Sequence, residues 1–433
     1  MPTIRMSEWD EVTPVEYPEL ANFSFGGNSA FRSTLDALAQ KPMLEVLELR
    51  TGLVLRSTSY VGNLQLGDLR IIIQPKIKLD VLLTLFRYAY QLRDLQLMET
   101  SRLETEPKAF QDILIEQLIA EVSELLNRGL RRQYQRVAEG LAVPKGQLDL
   151  QRLARQGGVV EARLPVVHHP RLEDSLINQV LLEGLYFATR LTNDIGIRSR
   201  LRRLAGLLEM DVSRTSLDFN TLQRLRQGMN RLTVHYEPAI TLIEMLLRSV
   251  GITLEDRDDS LGLPGFLFDM NRFFERLLSR FLKENLPEFT VRDQYRLTGM
   301  MAYSAQHNPR RREAPTPRPD FVITTGKTVR AILDAKYRDL WEKPLPREML
   351  YQLAIYALSQ GWNGQSSILY PCLDSRAEPQ IINIREAVSS TNKAKVILRP
   401  VNMTYLSQLL EADNFQIRQQ RQAFARQLVM SEI

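Results

Sequence analysis

Apolar and polar residues follow the pattern of β-strands in the first part of the chain. Apolar runs at 43–50, 53–65 and 69–74 are interrupted by the pairs Thr51-Gly52 and Gly67-Asp68, and Pro75 follows the last run. Short apolar runs bounded by turn residues are typical of strands. We therefore expect residues 1–78 to form a small β-rich region, either an antiparallel sheet or a barrel.

Between residues 79 and 262 the apolar positions follow the period of an α-helix. In the segment 110–126 leucines and valines fall on one stripe, and Gly129 provides a stop. The other segments predicted from this pattern are helices at 174–191 and 237–250 and a hairpin or pair of loops at 140–149 and 158–167. This part of the chain is predicted to be mainly helical.

Residues 263–433 mix both periods and predict an α/β domain after an acidic linker at 254–264. The predicted elements are a helix at 268–281, strands at 321–324 and 329–333, a helix at 350–358, strands at 367–370 and 379–384, and a final helix at 405–428. The expected fold class is α+β and multidomain, with regions 1–78, 79–262 and 263–433.

Two acids and a lysine are predicted to meet on one hairpin of the last region. Asp320 opens the first strand, Thr325-Gly326-Lys327 forms the turn, and the return strand delivers Asp334 and Lys336 to one face. A charged pair at the end of an apolar strand is costly unless it is paired or used, which argues against an ordinary surface ion pair. Two carboxylates and the carbonyl of Ala335 suit Mg²⁺, and a lysine can position water or offset phosphate charge. The pattern predicts metal-assisted phosphodiester hydrolysis.

Two flanking helices carry further candidate residues. Glu275 lies on the predicted helix before the hairpin, and we expect it either to point towards the metal or to be a solvated acid. Gln352 and Tyr356 are four residues apart on the following helix and share a face. They are expected to contact a phosphate or to orient Lys336.

Arginine clusters predict contacts with the DNA backbone. Arg310, Arg311, Arg312 and Arg318 lie in a proline-rich loop just before Asp320, where mobile cations could hold phosphates. Segments 131–136 and 197–203 are also basic. Like-charge runs are usually solvated surface, so we assign DNA binding only to the loop.

The chain resembles a known family at these residues. Asp320, Asp334-Ala335-Lys336, the Glu275 helix and Gln352-x-x-x-Tyr356 resemble the PD-(D/E)xK nuclease fold in its Gln-x-x-x-Tyr branch. Segment 60–77 resembles the N-terminal strand region of the McrC family, the nuclease subunits of McrBC-type restriction systems that act on modified DNA. Segments 143–149, 174–178 and 266–271 are similar to this family as well, so the resemblance runs from about residue 45 to 370.

The resemblance implies a partner as well as an activity. It implies a DNA endonuclease subunit whose N-terminal β-rich region docks onto an McrB-like AAA+ GTPase hexamer and stimulates it, with GTP bound by the partner. Arg56, Lys76 and Arg87 are candidates for that stimulation. The alternatives are a stand-alone PD-(D/E)xK repair or recombination nuclease and a non-catalytic activator of a motor protein.

Composition sets weaker bounds. The 433 residues carry a net charge of +5, which is compatible with DNA binding without being diagnostic. The one cysteine, Cys372, excludes an intrachain disulfide and zinc thiolate clusters. No apolar run is long enough to span a membrane, and a cytoplasmic location is expected.

Two short motifs carry no function by themselves. Thr325-Gly326-Lys327-Thr328 looks like the end of a P-loop, but Phe321 stands where the first glycine is needed and a strand follows, so no nucleotide site is expected. His168 and His169 are adjacent and would face opposite ways on a strand, which argues against a joint metal site.

Overall fold

A computed structural model describes residues 2–21, 43–66, 69–92, 110–155, 163–250, 265–326, 328–361 and 363–430. The chain divides into two compact units, one formed by Met1–Leu92 with Ile252–Ile433 and the other by Arg93–Gly251. The predicted linker 254–264 and the turn residues Gly67, Asp68 and Lys327 lie outside the described residues.

The strands and helices are as follows. The strands are β1 (Thr3–Ser7), β2 (Glu11–Val12), β3 (Leu44–Leu49), β4 (Gly52–Ser57), β5 (Tyr60–Leu66), β6 (Leu69–Gln74), β7 (Gln133–Tyr134), β8 (Val137–Leu141), β9 (Gln147–Leu148), β10 (Leu164–His168), β11 (Arg171–Leu172), β12 (Gly265–Asp269), β13 (Thr290–Asp293), β14 (Phe321–Thr325), β15 (Thr328–Ala335), β16 (Gly364–Cys372), β17 (Gln380–Arg385) and β18 (Asn392–Asn402). The helices are α1 (Leu79–Tyr90), α2 (Phe110–Arg128), α3 (Leu150–Arg155), α4 (Leu176–Leu191), α5 (Ile195–Glu209), α6 (Phe219–Gly228), α7 (Glu237–Val250), α8 (Met270–Asn285), α9 (Arg347–Leu358), α10 (Met403–Glu411) and α11 (Phe415–Met430). No helix within the described ranges is long and apolar enough to cross a membrane.

A six-stranded sheet in the order β13-β14-β15-β16-β18-β17 forms the centre of the C-terminal part of the first unit. Strands β13, β14 and β15 are antiparallel, β15, β16 and β18 are parallel, and β17 is antiparallel to β18. Helix α9 packs against β16 and β18, where Leu353 and Tyr356 join a core with Ile368 and Val396. In this sheet β14, β15 and β16 each have a hydrogen-bonded neighbouring strand on both sides.

The N-terminal strands form two sheets rather than the single sheet or barrel predicted from the sequence. The first has the order β2-β4-β3, and the second the order β1-β6-β5-β12. Strand β1 runs parallel to β6, and β12 comes from residues 265–269 of the region predicted to be a separate domain. Gly62 makes this pairing feasible, because a Cβ there would lie 2.0 Å from the carbonyl oxygen of Phe266.

Helices α1 and α8 join the N-terminal and C-terminal segments into one unit. The amphipathic pattern of α8 buries Phe273, Phe274, Leu277 and Phe281, and Asp269 caps its N-terminus by accepting from the Asn271 backbone amide at 3.0 Å. Helix α1 packs on α8, where Phe86 contacts Phe273. Helix α1 thus belongs with the C-terminal segment, whereas the sequence placed it in the helical middle region.

The second unit contains helices α2–α7 and two small sheets. Helices α5 and α6 begin at Asp194 and Asp218, whose side chains accept from backbone amides of the first turn. The described part of the predicted hairpin or loop pair at 140–149 and 158–167 belongs to a three-stranded sheet in the order β8-β10-β9, and residues 158–162 lie outside the described residues. His168 Nε2 on β10 forms a hydrogen bond of 2.6 Å with Glu139 Oε1 on the neighbouring strand β8.

Two expectations for the C-terminal part were wrong in detail. The single final helix is broken into α10 and α11, because Asp413 and Asn414 interrupt it and Asn414 accepts from the Ile417 backbone amide at 2.9 Å. Strand β18 was not predicted, although it pairs with both β16 and β17. The helices at 110–126, 174–191 and 237–250 are confirmed with small changes at their ends.

Tyr337, which follows the acid–lysine strand β15, is fastened to residues distant in sequence. Its hydroxyl donates to Glu8 Oε1 at 2.8 Å, its backbone amide donates to Asn271 Oδ1 at 3.0 Å, and its carbonyl accepts from the Trp9 indole at 3.0 Å. Glu8 also accepts from the Lys76 backbone amide at 2.8 Å. These bonds fix the end of β15 against the N-terminal sheet.

Burial raises the pKa of Glu8 from an ordinary 4.5 to about 7. Between these two values the folded chain keeps a proton that the unfolded chain has lost, so stability falls as the pH rises through this window. We predict that Glu8→Gln removes this loss. The quantity to follow is the free energy of unfolding of the variant minus that of the wild type. This difference should increase by on the order of 3 kcal/mol from pH 4 to pH 8, at about 1.4 kcal/mol per pKa unit.

Denaturant unfolding at a series of pH values measures this difference. The control is Glu19→Gln, which removes the same charge from an exposed position and should follow the wild type across the series. If the free energies of unfolding of the wild type and Glu8→Gln changed equally with pH, the prediction would be contradicted.

Candidate active site

The structure brings Asp320, Asp334 and Lys336 together at the ends of β14 and β15. Phe321 pairs with Leu333 across the hairpin, so Asp320, one residue earlier, comes opposite Asp334. The ammonium of Lys336 lies 3.1 Å from Asp334 Oδ2 and 3.7 Å from Asp320 Oδ2. Both aspartates are almost fully buried, with 6% and 3% of their surface exposed. The predicted cluster therefore exists as a buried group with one partly exposed cation.

Asp320 is held by two hydrogen bonds besides its contact with Lys336. Its Oδ2 accepts from the Ala335 backbone amide at 2.8 Å, which ties the start of β14 to the end of β15. Its Oδ1 accepts from the Gln294 side-chain amide at 2.7 Å. Both bonds fix the orientation of the carboxyl group.

Gln294 is a site residue that sequence reasoning missed. It follows β13, has a left-handed φ of 48°, and donates its backbone amide to the Asp320 carbonyl at 2.8 Å. A non-glycine residue in this conformation is strained, and such strain is concentrated at functional sites. Only the pairing of β13 with β14 places Gln294 beside Asp320, so the local sequence contains no signal for it.

The charged groups of the cluster shift one another's pKa values. Burial and then the charge of Asp320 raise the pKa of Asp334, against the lowering effect of Lys336. Burial lowers the pKa of Lys336, but Asp334 and Asp320 together raise it more, so its pKa lies above the usual value. Lys336 is therefore an ammonium that donates hydrogen bonds, and the carboxylates lie in a site with excess negative charge.

Glu275 lies on α8 within electrostatic reach of the cluster. Burial raises its pKa to about 7, with further contributions from Asp320 and an opposing one from Lys336. Within the described part of the chain, no group of three or more His, Cys, Asp or Glu side chains is arranged to hold a metal ion. The structure thus gives an aspartate pair with Glu275 close to it.

Gln352 and Tyr356 contact each other on α9. The Gln352 side-chain amide donates to the Tyr356 hydroxyl at 2.8 Å. Gln352 is exposed, whereas only 2% of the surface of Tyr356 is exposed. The charges of Asp334 and Asp320 contribute to the raised pKa of Tyr356, whose largest cause is burial. The two side chains share a face as predicted, and among the described residues no hydrogen bond joins either of them to Lys336.

The arginine loop is exposed. Arg310, Arg311 and Arg312 are all exposed, and Asn308 accepts from the Arg312 backbone amide at 2.9 Å. Arg318 donates from Nε to the Gln294 carbonyl at 2.9 Å, which links the end of the loop to the residue that holds Asp320. The structure thus connects Arg318 to the acid cluster through Gln294.

Comparisons with known proteins agree on one family. A family model for the McrBC 5-methylcytosine restriction system component matches residues 55–371. A refined half-complex from the tetradecameric assembly of Thermococcus gammatolerans McrB AAA+ hexamers with bound McrC contains a similar chain, with a TM-score of 0.63 and 19% identity over 99% of this chain and 100% of that one. A cryo-EM structure of the Thermococcus gammatolerans McrBC complex has a chain with a TM-score of 0.44 and 21% identity over 66% of this chain and 88% of that one. No curated protein matches the chain.

The fold and the site define a multidomain α+β protein with a buried acid–lysine cluster at the ends of two adjacent strands. The family model covers well over half of the sequence. The chain therefore belongs to the family of McrBC 5-methylcytosine restriction system components, and the resemblance to McrC is confirmed.

The unfavourable charge at the cluster has a measurable cost in stability. We predict that Asp334→Asn raises the free energy of unfolding in metal-free buffer at pH 8 by about 1–3 kcal/mol, because it removes a buried charge whose pKa is raised while it keeps the shape of the side chain. Thermal and denaturant unfolding in EDTA measure the effect. The control is Asp211→Asn, an exposed acid that should leave stability unchanged. An Asp334→Asn protein less stable than the wild type would contradict the argument.

Proposed function

We propose that the chain is the DNA-cleaving subunit of a GTP-dependent McrBC-like restriction system and hydrolyses phosphodiester bonds with Mg²⁺ in the cytoplasm. The observation that carries the proposal is the buried cluster of Asp320, Asp334 and Lys336, in which an ammonium lies against two carboxylates at strand ends. Family membership supports a restriction role. In this proposal the C-terminal region is a PD-(D/E)xK nuclease domain.

The donor chemistry of the cluster fits a hard divalent cation. The carboxylates of Asp320 and Asp334 and the carbonyl of Ala335 would hold Mg²⁺, and Glu275, whose pKa responds to the charges of the cluster, is the candidate for a further contribution. Burial and then the charge of Asp320 raise the pKa of Asp334, and a bound cation would offset both effects. When bound, Mg²⁺ lowers the pKa of a water ligand and neutralises charge on the phosphate.

Lys336 is proposed to act on the attacking water and on the phosphate. Its ammonium can donate to the water and to a phosphate oxygen as negative charge develops, while the water oxygen bonds to phosphorus and one phosphorus–oxygen bond to the sugar breaks. Gln352 and Tyr356, joined by their own hydrogen bond, would hold the DNA backbone beside the cluster. Arg310, Arg311, Arg312 and Arg318 would neutralise neighbouring phosphates.

The proposed partner is an McrB-like AAA+ GTPase that binds GTP itself. A similar chain lies in a solved assembly of McrB AAA+ hexamers with bound McrC, and this likeness supports the same kind of assembly for this chain. The N-terminal β-rich region is proposed to dock on the GTPase. Arg56 and Lys76 stay candidates for stimulating it, although they are already paired with Glu11 at 2.5 Å and Asp10 at 3.2 Å; Arg87 is the third candidate.

Plasmid cleavage tests the proposal directly. The chain is combined with Mg²⁺, GTP and the McrB-like GTPase of the same genome, each added or omitted, on modified and unmodified DNA. We expect cleavage to require all three and to fall at least about a thousandfold in Asp334→Asn, because the metal loses a carboxylate ligand. Binding of the GTPase should be unchanged in that variant.

The other outcomes identify the rival functions. Cleavage by this chain with Mg²⁺ alone makes it a stand-alone nuclease. Stimulated GTP hydrolysis without any cleavage, and equal in the wild type and Asp334→Asn, makes it an activator of the motor.

A second prediction concerns Gln294. Gln294→Ala should raise the Mg²⁺ concentration needed for half-maximal cleavage by about 10- to 100-fold, because Asp320 loses the bond that fixes its Oδ1. Metal titrations of the cleavage rate measure the shift. Gln306→Ala, an exposed glutamine in the loop before Asp320, is the matched control and should behave as the wild type. Equal metal dependence in all three proteins would remove Gln294 from the site.

A further inference from the structure

The second unit contains a basic cavity that the hydrolytic site does not use. It has a volume of about 380 Å³ and is lined by Arg131, Arg132, Arg171, Leu130, Leu232 and His235 with Gly129. None of these lining residues, all of them described in the structure, is acidic. The cavity is therefore lined by three arginines and by no acid.

The arginines of the cavity lie on a firmly held backbone. The backbone amide of Arg131 donates to the Tyr236 hydroxyl at 2.7 Å, and its carbonyl accepts from the Asn178 side chain at 3.0 Å. Tyr236 and Asn178 are both completely buried. Strands β7 and β11 pair immediately after, so that Arg171 comes opposite Tyr134. A basic surface built on pinned backbone loses little freedom when it binds a ligand.

Most of the positive charge in the cavity is not neutralised internally. Arg132 pairs with Glu173 at 2.9 Å, but within the described residues neither Arg131 nor Arg171 has a carboxylate partner. The guanidinium of Arg171 lies 5.5 Å from the centre of the Tyr134 ring, and Tyr134 is 71% exposed. The cavity thus contains arginines without a carboxylate partner, and one of them contacts an exposed aromatic ring.

We propose that this cavity binds the phosphates of a nucleic acid strand as a DNA contact separate from the hydrolytic site. Planar guanidinium groups bind phosphate oxygens in pairs, and an exposed aromatic ring beside arginines can stack on a base. A nucleic acid strand offers both groups that this surface matches, since its phosphates suit the arginines and its bases suit the ring.

Fluorescence anisotropy of the full chain tests this without any cleavage. A short labelled DNA duplex and its single strand are titrated in EDTA over a series of salt concentrations, so the result does not depend on the proposed nuclease activity. The double variant Arg131→Gln with Arg171→Gln should weaken binding about tenfold or more. Its slope of log affinity against log salt should fall by nearly two, because each lost phosphate contact removes about 0.9 for a duplex.

The matched control is Arg202→Gln with Arg203→Gln on α5, which removes the same charge from exposed positions of the same unit. It should retain most of the affinity, and unchanged melting temperatures would exclude misfolding in both double variants. Equal losses in the two double variants, or no loss in the first, would overturn the proposal. Loss of McrB-like GTPase binding with DNA affinity intact would also overturn it and assign the cavity to the protein partner.

Discussion

The hydrogen bond from the Ala335 backbone amide to Asp320 is the constraint on which the candidate site depends. Two buried aspartates lie at neighbouring strand ends, and the pKa of Asp334 is raised first by burial and then by repulsion from Asp320. The 2.8 Å bond from Ala335 and the 2.7 Å bond from Gln294 fix Asp320 in spite of the repulsion. Since β14 and β15 lie between β13 and β16, neither strand can move away to relieve it. The sheet thus maintains an electrostatic arrangement that is unfavourable in the absence of a cation.

The same strand is held at its end by contacts from distant parts of the chain. Tyr337 bonds to Glu8 across a separation of 329 residues, and Asn271 at the start of α8 holds its backbone amide. Because Tyr337 directly follows Lys336, the N-terminal sheet and α8 both restrict where the lysine can lie. A short series of hydrogen bonds thus connects the N-terminal residues Glu8 and Trp9 with the residue that follows the lysine.

The local hairpin could be predicted, whereas its supports could not. Apolar β-runs on both sides of Gly326, which has a φ of 59°, predict the turn, and the period of a strand puts Asp334 and Lys336 on one face. Gln294, Glu8 and Trp9 reach the site only through long-range pairing, which no local pattern encodes. Strand β18 escaped prediction because it contains Arg399 and Pro400; Arg399 is nevertheless 2% exposed, with its Nε donating to Ser367 at 3.2 Å. Tertiary contacts there override the local preference.

Charge is distributed over the elements in a way that suits a substrate with a phosphate backbone. In the proposed function, the two carboxylates attract a cation but repel phosphate, so DNA binding needs positive charge in addition to Lys336. Besides Lys336 in the cluster, positive charge lies on the loop before Asp320, where Arg318 is bonded to Gln294, and, within the second unit, around Arg131 and Arg171. If the acids were surrounded by arginines at close range, ion pairs would form and the carboxylates would lose their capacity to hold a metal. In the proposed function, this distribution of charge would let one chain hold a divalent cation at the carboxylates and a polyanion at the basic surfaces.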